Sequence, residues 1–170
     1  MSDKAFPIIP KDGKVTIFDG AGSPLSYEVM YEDADFQGPE LSEGLEDVQE
    51  FMDRDTVYAV RKVGRKPKNF TFTCHAMRFA RDGSGNTHIN DVVLKKKAWA
   101  SATSTAESYS DAFMVKVVFE AERTDFGESS DTSITMLYCR LTAGFQEGAP
   151  GKFSISGTIY PFTENAITVS

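Results

Sequence analysis

The chain has 170 residues, 41% hydrophobic and 25% charged, with 18 Lys and Arg against 25 Asp and Glu for a net charge of -7. A chain of this size buries roughly 70% of the surface its unfolded form exposes, so the expectation is a single domain over residues 1–170 and not a disordered chain. A pI near 4.9 excludes a general nucleic-acid binder, which needs a basic footprint for phosphate. No apolar run approaches the roughly 18 residues of a membrane helix. Residues 1–10 lack the cationic start and long apolar stretch of a secretory signal, so a cytoplasmic product is expected.

The charge is unevenly placed. Residues 32–55 hold ten carboxylates against the single guanidinium of Arg54, a net of -9, and the rest of the chain has 17 Lys and Arg against 15 Asp and Glu, a net of +2. Any electrostatic role is therefore local to that strip.

In chain order, Phe6-Pro7-Ile8-Ile9-Pro10 sets three large apolar side chains between prolines that deny a helix or a central strand. The N-terminal strap, residues 1–12, either covers its own core or reaches a neighbour. Residues 14–18 and 25–31 alternate on either side of Asp19-Gly20-Ala21-Gly22-Ser23-Pro24, a cluster of turn formers, and read as a hairpin. The acidic excursion follows. Leu41, Leu45, Val48 and Met52 recur at spacings of four, three and four, which admits a short amphipathic helix after Ser42, but like charge along it opposes that helix. A long, partly irregular excursion that orders only against a partner is the favoured expectation.

Residues 56–63 and 69–77 read as a second hairpin, turned by residues 64–68. Asp82-Gly83-Ser84-Gly85 is a loop, and residues 89–98 form the one convincing helix, with Ile89, Val92, Val93 and Lys96 on one face and Lys95, Lys96 and Lys97 at its C-terminal end. Trp99 is expected to pin the helix to the sheet, with residues 100–110 a polar linker. Alternating strands are then predicted over 112–123, 132–143 and 152–160, with a short terminal strand at 166–169.

The inventory for catalysis is thin. His75 and His88 are the only histidines, neither has a ligand neighbour at metal spacing, and no nucleophile elbow or phosphate-cradling glycine loop is present. Cys74 and Cys139 lack CxxC spacing and read as buried thiols. No enzyme activity, metal or cofactor is expected.

The order of elements resembles the major tail tube proteins of long-tailed, non-contractile bacteriophages. The likeness rests on Gly13–Phe18 opening a hairpin through Asp19-Gly20, on the acidic excursion ending in Asp53-Arg54 before a strand, and on Pro67 leading into Phe70-Thr71-Phe72. It continues in the single helix with Trp99 behind it, and in Glu147-Gly148-Ala149-Pro150-Gly151 before Phe153-Ser154-Ile155-Ser156-Gly157-Thr158. Asp55 departs from the pattern, which leads one to expect glycine after Arg54.

The resemblance implies a mainly β fold with one α-helix, an antiparallel sandwich or barrel of tail-tube type whose sheets continue between subunits. It implies hexameric rings stacked into a hollow tube in a virion tail assembled in the host cytoplasm. The implied partners are further copies of the chain, a tape-measure protein, a tail terminator and a distal tail protein, and DNA would pass the lumen without specific binding. On this reading Phe6, Ile8 and Ile9 of the strap and Glu43, Glu46, Asp47, Phe51 and Arg54 of the excursion are contact candidates. Arg61, Lys62, Arg65 and Lys66 would pair with carboxylates of an adjacent ring. Glu120, Glu122, Asp125 and Glu128 are candidates for lumen charge. The alternatives are a ring protein of bacterial type VI secretion and a monomeric β-barrel binding a small apolar ligand among the 13 Phe.

Overall fold

Alternation builds most of the molecule. In β5 (Lys68–His75), Phe70, Phe72 and Cys74 are buried while Asn69, Thr71 and Thr73 face outward, the period-two pattern of a strand with one face on a core. The computed structural model describes residues 13–29, 35–75, 87–121, 131–148 and 151–170. The other strands in these segments are β1 (Gly13–Phe18), β2 (Ser26–Val29), β3 (Glu46–Asp53), β4 (Thr56–Arg65), β6 (Val115–Ala121), β7 (Thr132–Gln146), β8 (Lys152–Ile159) and β9 (Ile167–Val169); the helix is α1 (Ile89–Val93). One antiparallel sheet runs β2-β1-β6-β7-β8-β5 with β9 beside β7, and β3 and β4 form a separate two-stranded ribbon. The fold is mainly β, antiparallel, with one helix, as the sequence predicts.

β7 is shared between two sets of partners. Residues 132–139 pair with β6 and residues 139–146 with β8, while Ile134, Thr135 and Met136 also take β9, so β8 and β9 lie end to end along one edge of β7. A register shift between Val115 and Val117, with Tyr138 at a φ of 56°, marks the bend where the partners change. Phe36 stacks on Phe119 of β6 at 4.5 Å and lies 6.1 and 6.4 Å from Phe70 and Phe72 of β5. Two strands separate β6 from β5 in the sheet, so one ring touching both requires the inner faces to curl toward each other. Phe36, Phe70 and Phe72 fill that interior with side chains, which counts against the ligand-binding barrel.

The predicted first hairpin is β1–β2, with Val15 opposite Val29 and Ile17 opposite Tyr27. Its turn is tied to the rest of the chain by Asp19, a buried carboxylate that accepts from the N–H of Leu25 at 2.8 Å and of Thr103 at 3.1 Å. Gly20 donates to the Thr103 carbonyl at 2.8 Å, and a Cβ there would stand 2.4 Å from the Ser104 carbonyl oxygen, so only glycine fits. Residues 100–110 are thus a docked segment with Ala102 and Ala106 buried, more than a polar linker.

Two expectations are corrected. The helix ends at Val93: Lys95 and Lys97 take left-handed φ values of 53° and 50°, and the chain turns to bury Trp99 in a short 3-10 turn, Lys97–Trp99. The lysines therefore do not line a helix C-terminus; Lys97 pairs with the buried Asp91 at 3.2 Å, and Lys95 lies 5.0 Å over the Phe113 ring. The second predicted hairpin does not form either, because β4 pairs with β3 and β5 pairs with β8. Pro67 breaks the link between β4 and β5 where a tight hairpin turn would be needed.

Packing at Gly157 makes a test of the interior. A Cβ there would meet Phe70 Cζ at 2.1 Å, and Phe70 is fully buried. Gly157→Ala is expected to destabilise the protein by about 1–3 kcal/mol, read as a lowered thermal midpoint of roughly 2–4 °C per kcal/mol. Gly22→Ala, which meets nothing within 4 Å, should leave the midpoint in place.

Candidate assembly surface

The second half of the acidic strip is a strand. β3 and β4 form an arm whose register runs from Glu46 opposite Arg65 to Asp53 opposite Thr56, and Arg54-Asp55 makes a two-residue turn with φ of 47° and 67°. Left-handed values at both central residues are what a type I′ hairpin demands, which explains the expectation of glycine where Asp55 stands. The amphipathic helix is absent: Gly44, at a φ of 62°, sits in a 3-10 turn, Glu43–Leu45, and the chain leaves it extended.

Pairing in space resolves the like charge that lies along the sequence. Lys62 meets Glu46 at 3.0 Å and Glu43 at 3.8 Å, while Asp47 meets Lys66 at 3.0 Å and Lys68 at 3.2 Å. Hydrogen bonds from Lys66 and Lys68 hold the Asp47 carboxyl below its ordinary value, and the Glu46 carboxylate raises the Lys62 ammonium. Arg65 anchors the base differently, donating to the Gly44 carbonyl at 3.2 Å and pairing with Glu164 at 3.0 Å. Lys62 and Lys66 thus find their carboxylates within the chain.

Cross-strand partners share a face. One face of the arm sets Val48 beside Lys62, Glu50 beside Val60 and Met52 beside Val57. The four apolar members are 46–58% exposed. The other face sets Phe51 beside Ala59, with Tyr58, 68% exposed, 6.3 Å from the Phe51 ring. An isolated two-stranded ribbon is marginal in water, and a cluster of exposed apolar side chains marks an interaction surface.

A second feature lies where β6 leaves β7. Beyond the last β6–β7 pair, Val115 with Cys139, residues 140–144 of β7 pair only with β8 among the described strands. Beside that edge is a cleft of about 290 Å³ between α1 and β7, lined by Val92, Val93, Phe113, Cys139, Arg140 and Leu141 among others. Behind it, β5, β8 and the far part of β7 present a polar face in register: Asn69, Thr158 and Arg140, then Thr71, Ser156 and Thr142, then Thr73, Ser154 and Gly144.

Of the predicted residues, the structure gathers Glu43, Glu46, Asp47, Lys62, Arg65 and Lys66 at the arm's base and Phe51, Arg54 and Arg61 along it. Glu120 is exposed on β6, opposite Lys14 and Ser133. Phe6, Ile8, Ile9, Glu122, Asp125 and Glu128 lie outside the described residues. Sequence reasoning missed Val48, Met52, Val57 and Val60 as one surface; the dense β-branched run of residues 56–63 was the available signal. Cys74 and Cys139 are free and buried as expected, and burial raises the Cys74 thiol to about 11 and the Cys139 thiol further. Among the described residues no group of three or more His, Cys, Asp or Glu could hold a metal, and no helix is long and apolar enough to cross a membrane.

No protein-family model and no curated protein matches the chain. Solved structures do. A chain of the sheath/tube terminator of an extracellular contractile injection system (PVC, extended state) aligns over 97% of this chain and 97% of its own, with a TM-score of 0.59 and 12% identity. The tube-terminating cap of the anti-feeding prophage (AFP) aligns over 100% and 99%, with a TM-score of 0.50 and 12% identity. A chain of the PVC sheath-tube complex in its extended state aligns over 98% and 93%, with a TM-score of 0.54 and 10% identity. The fold is therefore one found in the tube-terminating and sheath-tube components of contractile injection systems.

Two outcomes follow for the arm. Asp55→Gly relieves a left-handed non-glycine residue and should stabilise the hairpin by about 0.5–1 kcal/mol, seen as slower hydrogen exchange of the β3 and β4 amides; faster exchange would contradict the turn assignment. The ion pairs give the arm a pH window. The Asp47 contribution is present above the ordinary carboxylate value of 3.8 and is lost as pH falls through the lower folded value. The Lys62 contribution is present below 10.5 and is lost as pH rises through the higher folded value. Cross-strand NMR contacts in the arm should persist between these limits and weaken outside them, and Asp47→Asn should shrink the acid limb while leaving the alkaline limb in place.

Proposed function

We propose that this chain is a structural ring-forming subunit of a phage-type tail tube, assembling as hexameric rings that stack into a hollow tube. What carries the reading is the exposed apolar face of the β3–β4 arm on a chain whose whole length shares its fold with tube-terminating and sheath-tube components. A monomer gains nothing from holding Val48, Met52, Val57 and Val60 in water, whereas a ring buries them against a neighbour. Residues 140–144 of β7, which have no described strand on their far edge, are the rim through which a neighbouring subunit would extend the three-stranded part of the sheet; the outer edge of β5 is met by Gln37 at Thr71 and by the Asp35 carboxylate at Thr73.

In this reading the polar face of β5, β8 and β7 lines the lumen. Its middle rows are hydroxyls, so a passing DNA would be neither gripped nor strongly repelled there. Glu120 and the other three candidate carboxylates would add negative charge only where β6 and the segment after it also face the channel. The tube would house a tape-measure protein, end on terminator and distal tail proteins, and reside in a virion tail. A second reading, a ring that caps the tube and does not propagate, is favoured by two of the three structural neighbours, which are terminators.

Negative-stain microscopy with sedimentation of the purified protein tests both. Long hollow filaments support the tube subunit, and discrete six-fold rings support the terminating ring. A monomer that persists at high concentration would overturn the proposal.

A further inference from the structure

We infer that the arm of one subunit docks on the free edge of β7 and the adjoining cleft of a second copy. This deepens the ring-subunit reading and rests on it. The donor side has two properties. Val48, Met52, Val57 and Val60 are exposed on one face with Glu50 and Lys62 among them, and its outer half, residues 50–60, carries Glu50, Asp53 and Asp55 against Arg54, a net of -2.

The receiving side matches both. Residues 140–144 of β7 have β8 on one edge and no described strand on the other, so their backbone groups can accept an added strand. The cleft alongside is lined by Val93, Phe113 and Leu141 together with the polar groups of Arg140 and Thr142. Its charged rim is cationic: Arg140 is exposed on β7, and Lys95 stands over the Phe113 ring that lines the cleft. An acidic ribbon with exposed apolar side chains and a cationic cleft beside an open strand edge are complementary in charge and in bonding capacity. The two surfaces belong to different parts of one chain, so the contact is heterologous and passes from subunit to subunit until a ring closes.

Paired cysteines test the contact. The double variant Val57→Cys with Thr142→Cys, oxidised during assembly, should give a ladder of disulfide-linked multimers on a non-reducing gel. The control pair Val57→Cys with Ser23→Cys should not, since Ser23 lies in the β1–β2 turn. As a second readout, Arg140→Glu should raise the concentration needed for assembly about tenfold or more, one like-charge contact being worth roughly 1.4 kcal/mol at that ratio. Adding Glu50→Lys to it should restore most of that loss. Assembly of the wild-type chain without a ladder, or with an equal ladder from the control pair, would overturn the docking while leaving the ring reading intact. A wild-type chain that stays monomeric would overturn both.

Discussion

The bend in β7 is the constraint from which the rest of the molecule follows. A fifteen-residue strand in a twisted sheet cannot keep straight partners on both edges along its whole length. Here the strand changes partners at residues 137–139, with Cys139 opposite both Val115 and Ile159 and Tyr138 in a left-handed conformation. Such a conformation costs a non-glycine residue about 1–2 kcal/mol, and burial around it offsets the cost: Met136 and Cys139 are inaccessible, and the Cys139 thiol donates to the Met136 carbonyl at 3.3 Å. Tyr138 itself meets Tyr109 and Phe162 edge-on.

Because β6 stops at the bend, the far part of β7 has one edge without a described strand, and a cleft remains there between it and α1. Because β8 and β9 share the other edge, the sheet curls, and Phe36 can bridge β5 and β6. The polar face of the three-stranded part, the open edge and the cleft are thus consequences of a core packing problem as well as features that an assembly can use.

Elements whose determinants are local were legible in the sequence. The β1–β2 hairpin announces itself through its turn residues, and β6, β7, β8 and β9 through alternation, because both signals reside in consecutive residues. What could not be read depends on pairings distant along the chain. Lys62 neutralises Glu43 and Glu46 only once β4 folds back on β3, so the strip looked too charged to order by itself. The helix ran too long on paper because its later residues also suit a helix, and only the burial of Trp99 forces the turn at Lys95. The candidate surface was half legible: its acidic members drew attention, whereas Val57 and Val60 resemble core residues until the arm is seen to have no core beneath it.

Charge counted along a chain and charge present on a surface are different quantities here. Residues 32–55 carry -9, but the arm as folded, residues 46–65, has five carboxylates against four Lys and Arg, a net of -1. The difference decides whether identical arms can gather around one axis. Units of -9 brought within a Debye length of roughly 8 Å at physiological salt would repel strongly, whereas nearly neutral units pay little for closeness. Ion pairs at the base add to this balance: Lys62 within the arm, and Lys66 and Lys68 just beyond it, bind Glu46 and Asp47 within the same subunit. What acidity the arm retains lies in its outer half, in Glu50, Asp53 and Asp55, where it can choose a cationic partner without setting arm against arm.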